Sequence, residues 1–75
     1  MQRYQNLSGT SGVTHYEIGP DFIRVRFEDG GLYVYDHRSP GRHHVDAMKS
    51  LAVAGRGLST YISAHVRTAY ARRER

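Results

Sequence analysis

Seventy-five residues suffice for one domain and leave no room for a second core, and a chain this short buries only about 60% of the surface its unfolded form exposes, so a stability of a few kcal/mol is expected. Ten arginines and one lysine against seven acids give a net charge of +4, and the absence of cysteine excludes disulfides and thiolate metal sites. No apolar run approaches the roughly 20 residues that span a bilayer and no signal-peptide stretch opens the chain, so a soluble, cytoplasmic protein is expected.

Residues 1–10 are polar and read as a flexible leader, followed by a domain over 11–70 and a basic tail over 71–75 that is expected to fray. Val13–Ile18 reads as a strand with Tyr16 and Ile18 toward the core, closed by Gly19-Pro20-Asp21. Next, Ile23, Val25 and Phe27 alternate with Arg24, Arg26 and Glu28. After Asp29-Gly30-Gly31 comes Leu32-Tyr33-Val34-Tyr35. Two period-two runs around Asp-Gly predict a β-hairpin. With a two-residue turn at Asp29-Gly30, or shifted to Gly30-Gly31, Ile23, Val25, Phe27, Leu32 and Val34 share one face. Arg24, Arg26, Tyr33 and Tyr35 share the other.

Ser39-Pro40 is expected to open a helix, serine capping free N–H groups and proline occupying the first helical position. Val45, Met48, Leu51 and Ala52 form its apolar stripe, and Gly55-Arg56-Gly57 breaks it. Leu58, Tyr61, Ile62, His65 and Val66 form a second stripe, predicting a helix to about Arg67 with His65 half-buried. The expected architecture is α+β: a three-stranded antiparallel β-meander followed by two α-helices packed on one face of the sheet.

The outer sheet face is the first candidate site. Two tyrosines beside two arginines can stack on exposed bases and neutralise phosphates. The same cross-strand pairs also stabilise a bare sheet by about 0.2–1 kcal/mol each. Arg38, Arg42, Arg56 and Arg67 are the expected phosphate contacts, with Arg72, Arg73 and Arg75 extending the basic surface. Arg56 stands where the second helix starts, and free N–H groups there can hold a phosphate. His37, His43 and His44 surround the first helix start, but adjacent histidines there point apart and no further ligand completes a metal set. Asp36-His37-Arg38-Ser39 has the residue types of a hydrolase triad, yet four consecutive residues do not converge in that geometry.

Several of these residues carry a family resemblance. Asp29-Gly30-Gly31 followed by Tyr33-Val34-Tyr35, then Gly57 and Ile62-Ser63-Ala64-His65-Val66-Arg67 with Tyr70, resemble the KTSC domain from about Ser11 to Tyr70. That domain stands alone in bacteria and at the C-terminus of some lysyl-tRNA synthetases. Here Ile62-Ser63 replaces the family's Phe-Asn, which removes any role of that asparagine. The resemblance implies RNA binding.

The expected function is therefore that of a non-enzymatic binding module without cofactor or metal. RNA or another nucleic acid is the favoured partner. The alternative is a protein-interaction module, an adaptor or small inhibitor of the kind mobile elements carry, meeting an acidic or RNA-containing protein. A metal-independent ribonuclease using His37, His44 and Arg38 stands third. No feature of the sequence specifies an oligomeric state.

Overall fold

A computed structural model describes residues 1–75. Five strands run in the order β1 (Gln2–Arg3), β2 (Val13–Ile18), β3 (Phe22–Phe27), β4 (Leu32–Asp36) and β5 (Arg72–Arg73), each antiparallel to its neighbour. Between β4 and β5 lie α1 (Arg42–Ala54) and α2 (Leu58–Tyr61), the latter continuing as a π-helical turn over Ile62–Val66. The α+β class and the antiparallel meander are as expected from sequence. The sheet has five strands, not three, because both polar ends of the chain join it. No helix is long and apolar enough to cross a membrane.

The β3–β4 register decides which side chains face the helices. Val25 opposes Tyr33, Ile23 opposes Tyr35, and Arg26 opposes Leu32. Phe27 therefore meets Gly31, and Glu28, Asp29 and Gly30 form an odd-numbered turn. Gly30 takes φ 91, which a residue without Cβ adopts without strain, and Asp29 Oδ1 accepts the Gly31 N–H at 2.8 Å. Three-residue hairpin turns commonly end on such a glycine. This overturns the expected two-residue turn and the faces drawn from it. Tyr33 and Tyr35 lie on the helix side with Ile23, Val25 and Phe27, while Arg24 and Arg26 lie on the open side with Leu32 and Val34.

The core takes Ile23 and Val25 from β3, Val13 from β2, and Tyr35 from β4, all at most 2% exposed. Val45, Met48 and Ala52 of α1 cover them at helical spacing, as the stripe predicts. Leu58, Ile62 and Val66 close the other half. Helix α1 starts at Arg42 after Gly41, with no side-chain cap, rather than at Ser39-Pro40. Asp36 Oδ1 accepts the N–H groups of both Arg38 and Ser39 at 2.9 Å, folding that stretch into a turn, while Ser39 Oγ donates to the Ala69 carbonyl.

The segment expected as a leader is built into the molecule. Tyr4 is 3% exposed, its hydroxyl accepts the Leu58 N–H at 3.3 Å, and Leu7 N–H donates to the Gly55 carbonyl at 2.7 Å. The tail likewise docks along β4: Ala71 N–H donates to Val34 O and Glu74 N–H to Leu32 O, both at 2.7 Å.

Candidate ligand-binding cleft

On the helix side of the sheet, the hairpin tip and the end of the π-helical turn stand apart and leave a cleft of about 530 Å³. Its aromatic lining comes from three elements: Phe27 on β3, Tyr33 and Tyr35 on β4, and Tyr70 on the returning tail. The rings meet edge to face. Tyr33 lies 5.6 Å from Phe27 and 4.8 Å from Tyr70, and Tyr35 lies 6.3 Å from Tyr70. Such contacts are worth about 0.5–1.5 kcal/mol each beyond area burial and hold ring faces at set angles.

Gly31 makes room for this arrangement. A Cβ there would lie 2.9 Å from Tyr33 Cε1 and 3.0 Å from Asp29 Oδ1, so a larger residue would push the ring off the turn. The Arg73 guanidinium covers Tyr33 at 5.3 Å from the ring centroid. Burial, then the neighbouring Tyr33 and Tyr70, push the Tyr35 hydroxyl's pKa up to about 12, so Tyr35 is a neutral phenol at any physiological pH.

The two rims differ in charge. Glu28 and Asp29 form one; Ser63, Arg67 and Thr68 form the other. Asp29 is engaged in its turn, whereas the Glu28 side chain has neither a hydrogen bond nor an ion pair. Arg67 is exposed and unpaired. Its backbone takes φ 35 and ψ −101 while its N–H donates to the Ile62 carbonyl at 2.6 Å, closing the wide π-type turn. The cleft can thus hold a planar group against tyrosine while a cation and a carboxylate contact its two ends.

The residues expected to form one binding face are divided by the structure. Tyr33, Tyr35 and Arg67 line the cleft. Arg24 and Arg26 are on the opposite side of the sheet, so no Tyr/Arg platform exists. Arg24 is also held between two carboxylates, Nη1 lying 3.0 Å from Glu17 and Nε 2.8 Å from Glu74. Arg26 is exposed and unpaired, in register with His15 and Leu32. Arg38 is exposed in the turn after β4, Arg42 is exposed 3.6 Å from Asp46, and Arg56 is exposed between the helices. At the start of α2, where a phosphate site was expected beside Arg56, the Leu58 N–H is already bonded to the Tyr4 hydroxyl.

His37 follows β4, while His44 Nδ1 lies 2.8 Å from Tyr61 Oη on the helical side. His65 is exposed rather than half-buried, its ring 4.5 Å from that of Tyr61. No three His, Asp or Glu side chains converge in a way that would hold a metal ion.

Phe27, Glu28, Ser63 and Tyr70 were not expected at a site. Only register brings Phe27 to Tyr33, and only the docked tail brings Tyr70 to both tyrosines. No family model, curated protein or solved structure matches this chain.

Proposed function

We propose that this chain is a non-enzymatic binding module of the cytoplasm that holds single-stranded nucleic acid, RNA in the first place, with a base in the aromatic cleft. The observation that carries this reading is the cleft itself: four aromatic rings beside an unpaired Arg67. Base–aromatic stacking contributes about 1–3 kcal/mol per base, and a guanidinium at the rim meets the adjoining phosphate. The volume falls in the range of small-ligand sites. Membership of the KTSC family is part of the proposal, and of the residues that carry that resemblance, Asp29, Tyr33, Tyr35, Arg67 and Tyr70 line this one cleft.

Titration with short single-stranded RNA at two salt concentrations tests the reading. Affinity falls as salt rises, and Tyr70→Leu with Arg67→Gln weakens binding at least about tenfold, as expected for one lost stack and one lost phosphate contact. Equal binding by the wild type and the double variant overturns it.

A second reading, a protein-interaction module, is favoured by one observation elsewhere. Met1, Ile18 and Val53 are 54%, 41% and 66% exposed around a single hollow, beside the stretch of β2 that the two-residue β1 leaves unpaired. A partner that survives nuclease treatment and is released by Val53→Lys would support it.

A further inference from the structure

Resting on the nucleic-acid reading, we infer that the cleft is selective for guanine and that Glu28 is the residue that selects it. The two rims require opposite things of a ligand. At one end Arg67 offers N–H donors and positive charge. At the hairpin tip the exposed Glu28, which lines this cleft and also the neighbouring hollows beside His15 and Arg26, offers two acceptor oxygens and no donor, with neither a hydrogen bond nor an ion pair to its side chain. Asp29, its neighbour, has one oxygen committed to the Gly31 N–H. The aromatic lining between the rims accepts any flat ring, so the ends must discriminate.

Among the bases, guanine meets this pattern. Its Watson–Crick edge carries two adjacent donors, the ring N–H and the exocyclic amine, spaced for both oxygens of a carboxylate. Cytosine and adenine offer one amine beside an acceptor, which faces a carboxylate oxygen with a lone pair. Uracil offers one N–H between two carbonyls. With guanine against Glu28, the nucleotide's phosphate lies toward the Arg67 rim, away from the acidic turn. The division of charge also accounts for acids beside a nucleic-acid site: a cleft that bound only backbone would gain nothing from Glu28.

The experiment is a fluorescence-anisotropy titration of labelled tetranucleotides that differ at one position, UUGU, UUAU, UUCU and UUUU, with wild type and Glu28→Gln. Glu28 is exposed, and its fold is checked by the amide spectrum. The expected result is that UUGU binds at least about tenfold more tightly than the other three, in line with a bidentate contact, and that Glu28→Gln brings all four to within about twofold. Equal binding of the four by wild type overturns guanine selection, and a guanine preference that survives in Glu28→Gln overturns the assignment of that selection to Glu28; both leave the nucleic-acid reading standing. Binding of none of them, or displacement of UUGU by an arginine-containing tetrapeptide at equal concentration, overturns both.

Discussion

Arg24 on β3 reaches across β4 to Glu74, Nε lying 2.8 Å from Oε1, and so ties the middle of the sheet to the last residues of the chain. The Arg24 hydrogen bond is the main reason the Glu74 carboxyl titrates below its usual value, with Arg72 adding to it. A carboxyl depressed in the fold contributes stability above its unfolded value, near 4.5, and loses that contribution as pH falls through the folded value.

Acidification therefore loosens the C-terminal strand before it loosens the core. The amides of Ala71 and Glu74, which donate to β4, lose exchange protection relative to their intrinsic rates as pH falls below 4.5, while Val25 stays protected. In Glu74→Gln the same amides are poorly protected at neutral pH. Protection of Ala71 and Glu74 that follows Val25 at every pH would remove the tie from the account.

Tyr4 makes the first ten residues indispensable. Its ring is buried in the core cluster and its hydroxyl is the acceptor for the first amide of α2. Tyr4→Phe leaves that amide without its partner and costs about 1 kcal/mol. Tyr4→Ala also opens a cavity and costs about 3–5 kcal/mol, which exhausts the margin of a chain this small. Urea denaturation separates the two. A chain starting at residue 11 that unfolds at the wild-type midpoint would contradict this.

The hairpin turn sets which side of the sheet is aromatic. Pairing Phe27 with Leu32 instead of Gly31, as a two-residue turn at Asp29-Gly30 requires, would turn Tyr33 and Tyr35 outward and take a buried tyrosine from the core. Shortening Glu28-Asp29-Gly30 to Asn-Gly keeps Phe27 opposite Gly31, so the register, the buried Tyr35 and the cooperative thermal transition are retained. Gly30→Ala also keeps the register and costs about 1 kcal/mol, from the positive φ alone.

That turn also explains how far the sequence could be read. The strands β2, β3 and β4, the α1 stripe and the Gly55 break follow from periodicity, and each is present. Facing depends on whether a turn has two or three residues, and Asp-Gly-Gly is compatible with either. Both choices leave plausible faces, because tyrosine packs inside and outside equally well, whereas a run of valines would have decided it. The short strands β1 and β5 carry no pattern of their own. Their pairing comes from tertiary contacts, Tyr4 in the core and Glu74 on Arg24, that no window of neighbouring residues contains. Of the expected site, Tyr33, Tyr35 and Arg67 converge, while Arg24 becomes a structural cation.

Alkaline stability reports on Tyr35. Its pKa is raised to about 12, chiefly by burial, while an unfolded tyrosine titrates at 10.0. A raised acid pKa means the unfolded chain ionises first, so the stabilising difference is complete below pH 10.0 and is lost as pH rises through the folded value near 12. Unfolding free energy drops by about 1.4 kcal/mol per pH unit in that window. Tyr35→Phe removes this slope and Tyr70→Phe retains most of it, as stability measured against pH by urea denaturation will show.

Arg67 separates stability from binding. A side chain at φ 35 and ψ −101 is strained, and the backbone there is held by the short bond from its N–H to the Ile62 carbonyl. Glycine accepts that conformation freely, at some cost in unfolded-chain entropy. Arg67→Gly is therefore expected to leave the midpoint of urea denaturation unchanged or raise it, by up to about 1 kcal/mol in stability. The same variant lacks the only cation of the cleft's lining, so its affinity for short single-stranded RNA falls at least about fivefold and its salt dependence becomes shallower by about one phosphate contact. A variant that is destabilised and binds as wild type would reverse both halves: the residue would then be a structural turn element, and the phosphate contact would lie elsewhere on the basic surface.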